Sequence, residues 1–268
     1  MKDFLARTRW LLSEQLGLDI VKLVRFFLGI TWYLKDLYIF SRAYDHKIML
    51  KPCLHDKRGE GGSIRNEYFW QDLIVARWIF EASPRIHADF GSRIDGFVAH
   101  VASFREIEVF DVRPVSSVIP GIVFRRADLL NIGSINGYIG GGAGYCDSIS
   151  CLHVLEHIGL GRYGDPLDVY GYIQALRNLA SLLEANGTLY LSTPVGKQCV
   201  EFNANRIFDP LHLIDTACSV GLSLVRVAIV GSNASVYEPP LDLMLEVLDG
   251  LSCKDYNLLV MQFVKDIG

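Results

Sequence analysis

From residue 85 onward, short runs rich in Val, Ile, Phe and Leu alternate with longer stretches whose apolar residues recur three and four apart. The runs predict strands at 85–90, 106–112, 122–126, 148–152, 188–192, 223–230 and 258–264. The longer stretches predict helices at 96–104, 167–184 and 211–220. Strands separated by helices favour an α/β fold with a mostly parallel sheet, here of seven strands, covered on both faces and joined by right-handed crossovers. The preceding residues read as helical. Between positions 4 and 40, apolar residues surround a narrow stripe of Lys22, Arg25 and Gly29. A loop marked by Gly59, Gly61 and Gly62 follows, then a helix at 68–82 with Pro84 just past its end. The expected organisation is an N-terminal helical extension and loop over 1–66, followed by an α/β domain over 67–268.

Composition narrows this picture. The chain has 268 residues, 50% of them hydrophobic and 21% charged, enough to bury a substantial core. A net charge of −4 gives no global pull toward nucleic acid, so no nucleic-acid partner is expected. Cys53, Cys146, Cys151, Cys199, Cys218 and Cys253 are scattered without a C-x-x-C pair, which reads as free thiols in a reducing cytoplasm, with Cys146 and Cys151 in a buried strand. The first residues lack the block order of a secretory signal. Lys22 and Arg25 interrupt the apolar stretch at 20–34, so no membrane span is predicted. A helix so apolar is expected to pack on a core, on a partner such as a second copy, or on a membrane surface, which makes a membrane-peripheral location the variant of the cytoplasmic one.

Open parallel sheets bind ligands beyond the carboxyl ends of their strands, where four predicted ends carry polar residues. The first opens into D-F-G-S-R-I-D-G, residues 89–96, whose Gly91 and Gly96 bracket a turn into a helix. The second ends in E-V-F-D-V with Asp111, about 20 residues beyond Gly91, where a carboxylate can accept from ribose hydroxyls. The third is followed by A-D-L with Asp128 and Leu129, and the fourth by H-V-L-E-H, residues 153–157. Singly, each acid could be a helix cap or a loop carboxylate.

In this order the set resembles the Rossmann-like sheet of class I S-adenosylmethionine (SAM)-dependent methyltransferases. The resemblance implies SAM as cofactor, with Asp89, Gly91 and Gly96 at its methionine part, Asp111 at the ribose and Asp128 at the adenine. The neighbours Ser92, Arg93, Val112, Leu129 and His153 complete the implied cofactor set. The strings Y-F-W-Q-D-L-I-V-A (68–76), D-F-G-S-R-I-D-G-F-V-A-H (89–100) and H-V-L-E-H-I-G-L-G-R-Y-G-D-P (153–166) are further similar to domain-of-unknown-function family 268, over roughly residues 68–213. That family is methyltransferase-like and occurs in bacterial sugar and surface-glycan settings, which implies a glycan or other small-molecule acceptor methylated on a sugar hydroxyl. The first 60 residues look individual to this chain. Two departures stand out. Arg93 and Asp95 occupy positions where the usual D-x-G-x-G-x-G turn has small residues, which fits mutual pairing or a different ligand. A nucleotide-sugar enzyme of the same fold without SAM, or a non-catalytic scaffold, are the rival readings. Residues 131–145, containing G-Y-I-G-G-G-A-G-Y, read as a loop where a helix commonly sits.

His153, Glu156 and His157 are spaced three and four apart but are not H-E-x-x-H, and no metal is assigned. His157 or Glu156 could take a proton from an acceptor, or all three could brace the loop beneath the cofactor. Gly159, Gly161 and Gly164 then imply unusual backbone angles that project Arg162, Tyr163 and Asp165 toward the crevice. Arg162 could clamp a phosphate or carboxylate, or pair with Asp165, which with Pro166 also fits a helix start. The S-T-P-V-G turn at 192–196 adds polar groups, and Asn203, Asn205, Arg206 and His212 are candidates for the acceptor side.

Overall fold

A computed structural model describes residues 8–59, 61–62, 64–139, 144–231 and 235–267. It divides the chain into two compact units, Met1–Ser63 and Ile64–Gly268.

In the first unit the predicted helix is broken. A π-helical turn, Leu11–Gln15, ends before Gly17, whose φ of +69° is left-handed. Helix α1 (Ile20–Ser41) starts afresh behind Asp19, whose carboxylate accepts from Val21 N at 2.9 Å and Lys22 N at 3.1 Å. Residues 4–7 of the predicted helix lie outside the described residues. Gly29 is not part of a polar stripe. It is the buried residue of α1, and a Cβ there would come within 2.7 Å of Leu54. Lys57 Nζ bonds Asp36 at 2.8 Å and lies 4.4 Å from the centre of the Trp32 ring. Among the described residues no helix is long and apolar enough to cross a membrane.

The second unit contains α2 (Glu67–Ala82), β1 (His87–Phe90), a π turn (Ile94–Val98) running into α3 (Ala99–Ala102), β2 (Ile107–Asp111), β3 (Ile122–Arg126) and α4 (Ile132–Ile139). It continues with β4 (Cys146–Leu152), a 3₁₀ turn (Leu155–His157), α5 (Gly171–Leu182), β5 (Leu183–Val195), β6 (Cys199–Glu201) and β7 (Asn205–Ile207). Last come α6 (Pro210–Cys218), β8 (Leu222–Val230), β9 (Val236–Tyr237), α7 (Met244–Leu251) and β10 (Asn257–Lys265). All seven predicted strands form.

The main sheet runs β3-β2-β1-β4-β5-β10-β8-β9. The five strands from β3 to β5 are parallel; β10 lies antiparallel between β5 and β8, and β9 is antiparallel on the edge. Eight strands therefore replace the expected seven, because the two-residue β9 is too short to leave a sequence pattern. A separate hairpin, β6 with β7, follows β5. The sheet is mostly parallel as expected, and its faces carry separate apolar layers. On one face Val75, Ile79, Phe97 and Val101 pack with Ile107, Val109 and Val260. On the other, Ile135, Leu176, Leu179, Leu213 and Leu248 pack with Phe90, Ile149 and Leu191. Each such fully buried aliphatic side chain stabilises the fold by about 1.5–3 kcal/mol.

Two local expectations change. Residues 132–139 are helical rather than a loop: Ile132, Ile135 and Ile139 share one face, Ile135 fully buried, and that stripe outweighs the glycines. Helix α5 begins at Gly171, not near 167, so Asp165 does not cap it. The cysteines are free, with Cys146 and Cys151 buried on β4.

Candidate active site

A cavity of about 1180 Å³ opens at the carboxyl ends of β1 to β4. Gly91, Ser92 and Arg93 line it after β1, Asp111 and Val112 at the end of β2, and Asp128 and Leu129 after β3. His153, His157, Arg162, Tyr163 and Asp165 line it after β4, and Tyr68 reaches it from α2. Of fifteen sequence-predicted positions, twelve line the cavity; Asp89, Gly96 and Glu156 lie outside the lining.

Asp89 is buried beneath the first turn. Its carboxylate accepts from Ser92 N at 3.0 Å, Ser92 Oγ at 2.6 Å and Ser150 Oγ at 2.5 Å. Ser92 Oγ in turn accepts from Leu152 N at 3.1 Å, tying the turn to β4. Ser150 spends its proton on Asp89, so it accepts from His87 Nε2, and His87 Nδ1 accepts from Ser148 Oγ at 2.7 Å. Burial outweighs the hydrogen bonds and pushes Asp89 up to about 7. Asp89 therefore shapes the turn from below. Gly91, at φ +77°, faces Val154, whose Cγ2 would lie 3.0 Å from an added Cβ. At Gly96 a Cβ would overlap the Asp72 carboxylate of α2, so that glycine makes room for a neighbouring side chain. Arg93 pairs with Asp95 at 2.8 Å and lies 5.3 Å from the centre of the Tyr68 ring.

Asp111 is held by a residue that the sequence reading missed. Arg113 Nη2 reaches Asp111 Oδ2 at 2.5 Å, Arg113 Nε reaches Oδ1 at 3.0 Å, and Nη2 also donates to Gly91 O at 3.1 Å. The signal was available, since alternate residues of an extended chain point to one side and Arg113 follows Asp111 by two. Asp128 receives Leu130 N on its carboxylate at 2.9 Å.

After β4, His153 takes φ +54°, rare for a residue with a Cβ. Its Nδ1 donates to the buried Glu156 Oε1 at 2.7 Å, and its ring centre lies 4.5 Å from that of Tyr68. Glu67 Oε1 stands 3.6 Å from His153 Nε2 and accepts from Tyr256 Oη at 2.6 Å. Burial opposes the charged imidazole, yet Glu156 and Glu67 carry the His153 pKa above its usual value. Burial likewise opposes the Glu156 carboxylate, but His153 holds its pKa below the ordinary range. The other Glu156 oxygen accepts from Thr193 Oγ1 at 3.3 Å. His157 differs: burial lowers its pKa, and its Nδ1 lies 2.7 Å from Ala204 O. A carbonyl only accepts, so Nδ1 carries the proton and Nε2 keeps the lone pair.

The glycine loop is braced from within. Asp165 accepts from Gly159 N at 2.6 Å, Gly161 N at 3.3 Å and Tyr163 N at 3.2 Å, and does not pair with Arg162. Arg206 is no acceptor-side group either. It is buried, and its guanidinium donates to Ile158 O at 2.5 Å, Asp168 O at 3.1 Å, Val169 O at 3.3 Å and Glu156 O at 3.4 Å. His212 lies 3.3 Å from Tyr172 Oη, and neither it nor Asn203 or Asn205 lines the cavity.

A family model described as "Caenorhabditis protein of unknown function, DUF268" matches residues 142–225. The match includes the 153–166 string and leaves the 68–76 and 89–100 strings outside. No curated protein matches the chain. Among solved structures, it is similar to the N-methyltransferase NodS from Bradyrhizobium japonicum WM9, with 14% identity, 77% of this chain and 99% of that chain covered, and a TM-score of 0.51. It is also similar to the Burkholderia thailandensis 1,6-didemethyltoxoflavin-N1-methyltransferase, with 13% identity, 74% and 80% covered, and a TM-score of 0.50. The second unit therefore has the Rossmann-like fold of these methyltransferases.

Proposed function

We propose that residues 64–268 form a SAM-dependent methyltransferase whose acceptor is a hydroxyl of a sugar or glycan precursor. The carrying observation is that Gly91, Asp111 and Asp128, each just beyond or at the end of a parallel strand, line one cavity. The residues fit the cofactor: Gly91 leaves the backbone open to the cavity, Asp111 offers a carboxylate for ribose hydroxyls, and Asp128 and Leu129 flank the place of the adenine. S-adenosylhomocysteine bound to the Burkholderia enzyme supports the same ligand here. When bound, SAM supplies an electrophilic methyl group.

The chain's own part is to orient the acceptor and remove its proton. His157 suits the second task, being neutral, in the cavity lining and with its lone pair on Nε2. Glu156 suits it less, because both its oxygens are engaged below the cavity. His153 orients Glu156 and is a positioning residue. The sugar acceptor rests on the family resemblance.

Calorimetric titration with S-adenosylhomocysteine tests the reading. Saturable binding is expected for the wild type and for His157→Ala, with at least about a hundredfold loss in Asp111→Ala, equivalent to about 3 kcal/mol. Unchanged affinity in Asp111→Ala would overturn the ribose assignment. The Asp111–Arg113 pair favours a second reading, a nucleotide-sugar enzyme without SAM, since Arg113 already fills the carboxylate. Binding of UDP-glucose with no binding of S-adenosylhomocysteine would select it.

A further inference from the structure

Three arginines line the cavity, and two have a carboxylate to themselves: Arg93 has Asp95 and Arg113 has Asp111. Arg162 has none among the described residues. The nearest acid in sequence, Asp165, is turned inward onto the amides of Gly159, Gly161 and Tyr163. The Arg162 guanidinium is nevertheless held in place. Nη1 donates to Ala204 O at 2.9 Å, and the carbon of the fork lies 5.3 Å from the centre of the Tyr163 ring. Its Nη1 also lies 3.3 Å from His157 Nδ1, but that nitrogen carries the proton given to Ala204 O and has no lone pair to offer.

A guanidinium has five N–H donors, and one bond to Ala204 leaves most of them uncommitted. Held by a carbonyl and an aromatic face, the fork needs little ordering when a ligand arrives. Its planar pair of donors matches the two oxygens of a carboxylate or phosphate. The loop supports this placement: Gly161, directly before Arg162, has φ +72°, and Gly164 has φ +83° with open space around it.

We propose that Arg162 binds an anionic group, a carboxylate or a phosphate, carried by the acceptor. That the anion belongs to an acceptor rests on the transferase reading above; the anion site itself does not. The acceptor is then an acidic or phosphorylated small molecule, with its charged end at Arg162 and its reacting hydroxyl near His157.

The test measures the thermal unfolding midpoint of the full chain in potassium phosphate, potassium acetate and potassium chloride at equal ionic strength. A saturable rise above the chloride value is expected with phosphate, acetate or both. A rise with phosphate alone assigns a phosphate group, and a rise with acetate alone assigns a carboxylate. Arg162→Ala should abolish the rise and Arg162→Lys should keep part of it. Arg177→Ala, an exposed arginine on α5 bonded to Gln174, should keep all of it. The proposal is overturned if neither anion exceeds chloride, or if the rise survives in full in Arg162→Ala. Titrating Arg162→Ala with S-adenosylhomocysteine separates the two readings: retained binding there leaves the cofactor site intact. Failure of the wild type to bind it would remove the transferase reading and leave the anion result standing.

Discussion

The connection after β1 and the connection after β4 look alike as strings, each with an acid, an arginine and glycines. Folded, they treat their charges differently. After β1, Asp89 is sealed under the turn and Arg93 is neutralised by its own neighbour Asp95. After β4, Asp165 is consumed by three backbone amides, which leaves Arg162 without an acid among the described residues. The glycines also serve different ends. Gly96 makes room for Asp72, Gly159 for the Asp168 carbonyl, and Gly164 for nothing nearby. Glycine spacing thus announces a constrained backbone without saying whether the room is for a ligand or for the protein itself.

Gly159→Ala should show the largest effect, about 3–5 kcal/mol of lost stability in urea unfolding, because a Cβ at φ +77° would run into backbone that cannot rotate away. Gly164→Ala has a comparable φ and open space, so it should lose only about 1–2 kcal/mol. Equal losses in the two variants would mean that backbone angle, not the Asp168 approach, dictates the loop. Gly91→Ala should fall near the smaller figure, about 1–2 kcal/mol, since Val154 can shift slightly from a contact of 3.0 Å.

A different kind of effect concerns pH. Burial raises the Asp89 pKa to about 7, so its stabilising contribution is complete at and below about pH 4 and fades as pH rises toward 7. The midpoint difference between wild type and Asp89→Asn should therefore shrink from pH 4 to pH 7. A difference that grew over that range would mean the charged form is the one the turn prefers.

The strands were legible because each is a short apolar run, and six of the seven are flanked on both sides by sheet neighbours that demand such runs. Helix 132–139 was not, since its glycines mask an isoleucine stripe whose meaning depends on the sheet beneath it. The role of Gly29 was hidden for a related reason: it depends on what the chain meets after it folds back, Leu54. At the cavity, the residues just beyond the strand ends were readable from order alone. What could not be read was how each side chain spends its hydrogen bonds. Arg113 on Asp111, Tyr256 on Glu67 and Arg206 on four carbonyls are pairings across two to 189 positions of sequence.

Arg206 has a wider consequence. A single buried side chain of β7 gathers carbonyls from positions 156, 158, 168 and 169, so the hairpin and the loop after β4 are fastened at one rivet. The two cannot be exchanged separately between relatives. A chimaera that imported a new 156–169 segment without its matching arginine would leave four carbonyls without their donor, and one that imported the arginine alone would bury a cation with nothing to hold.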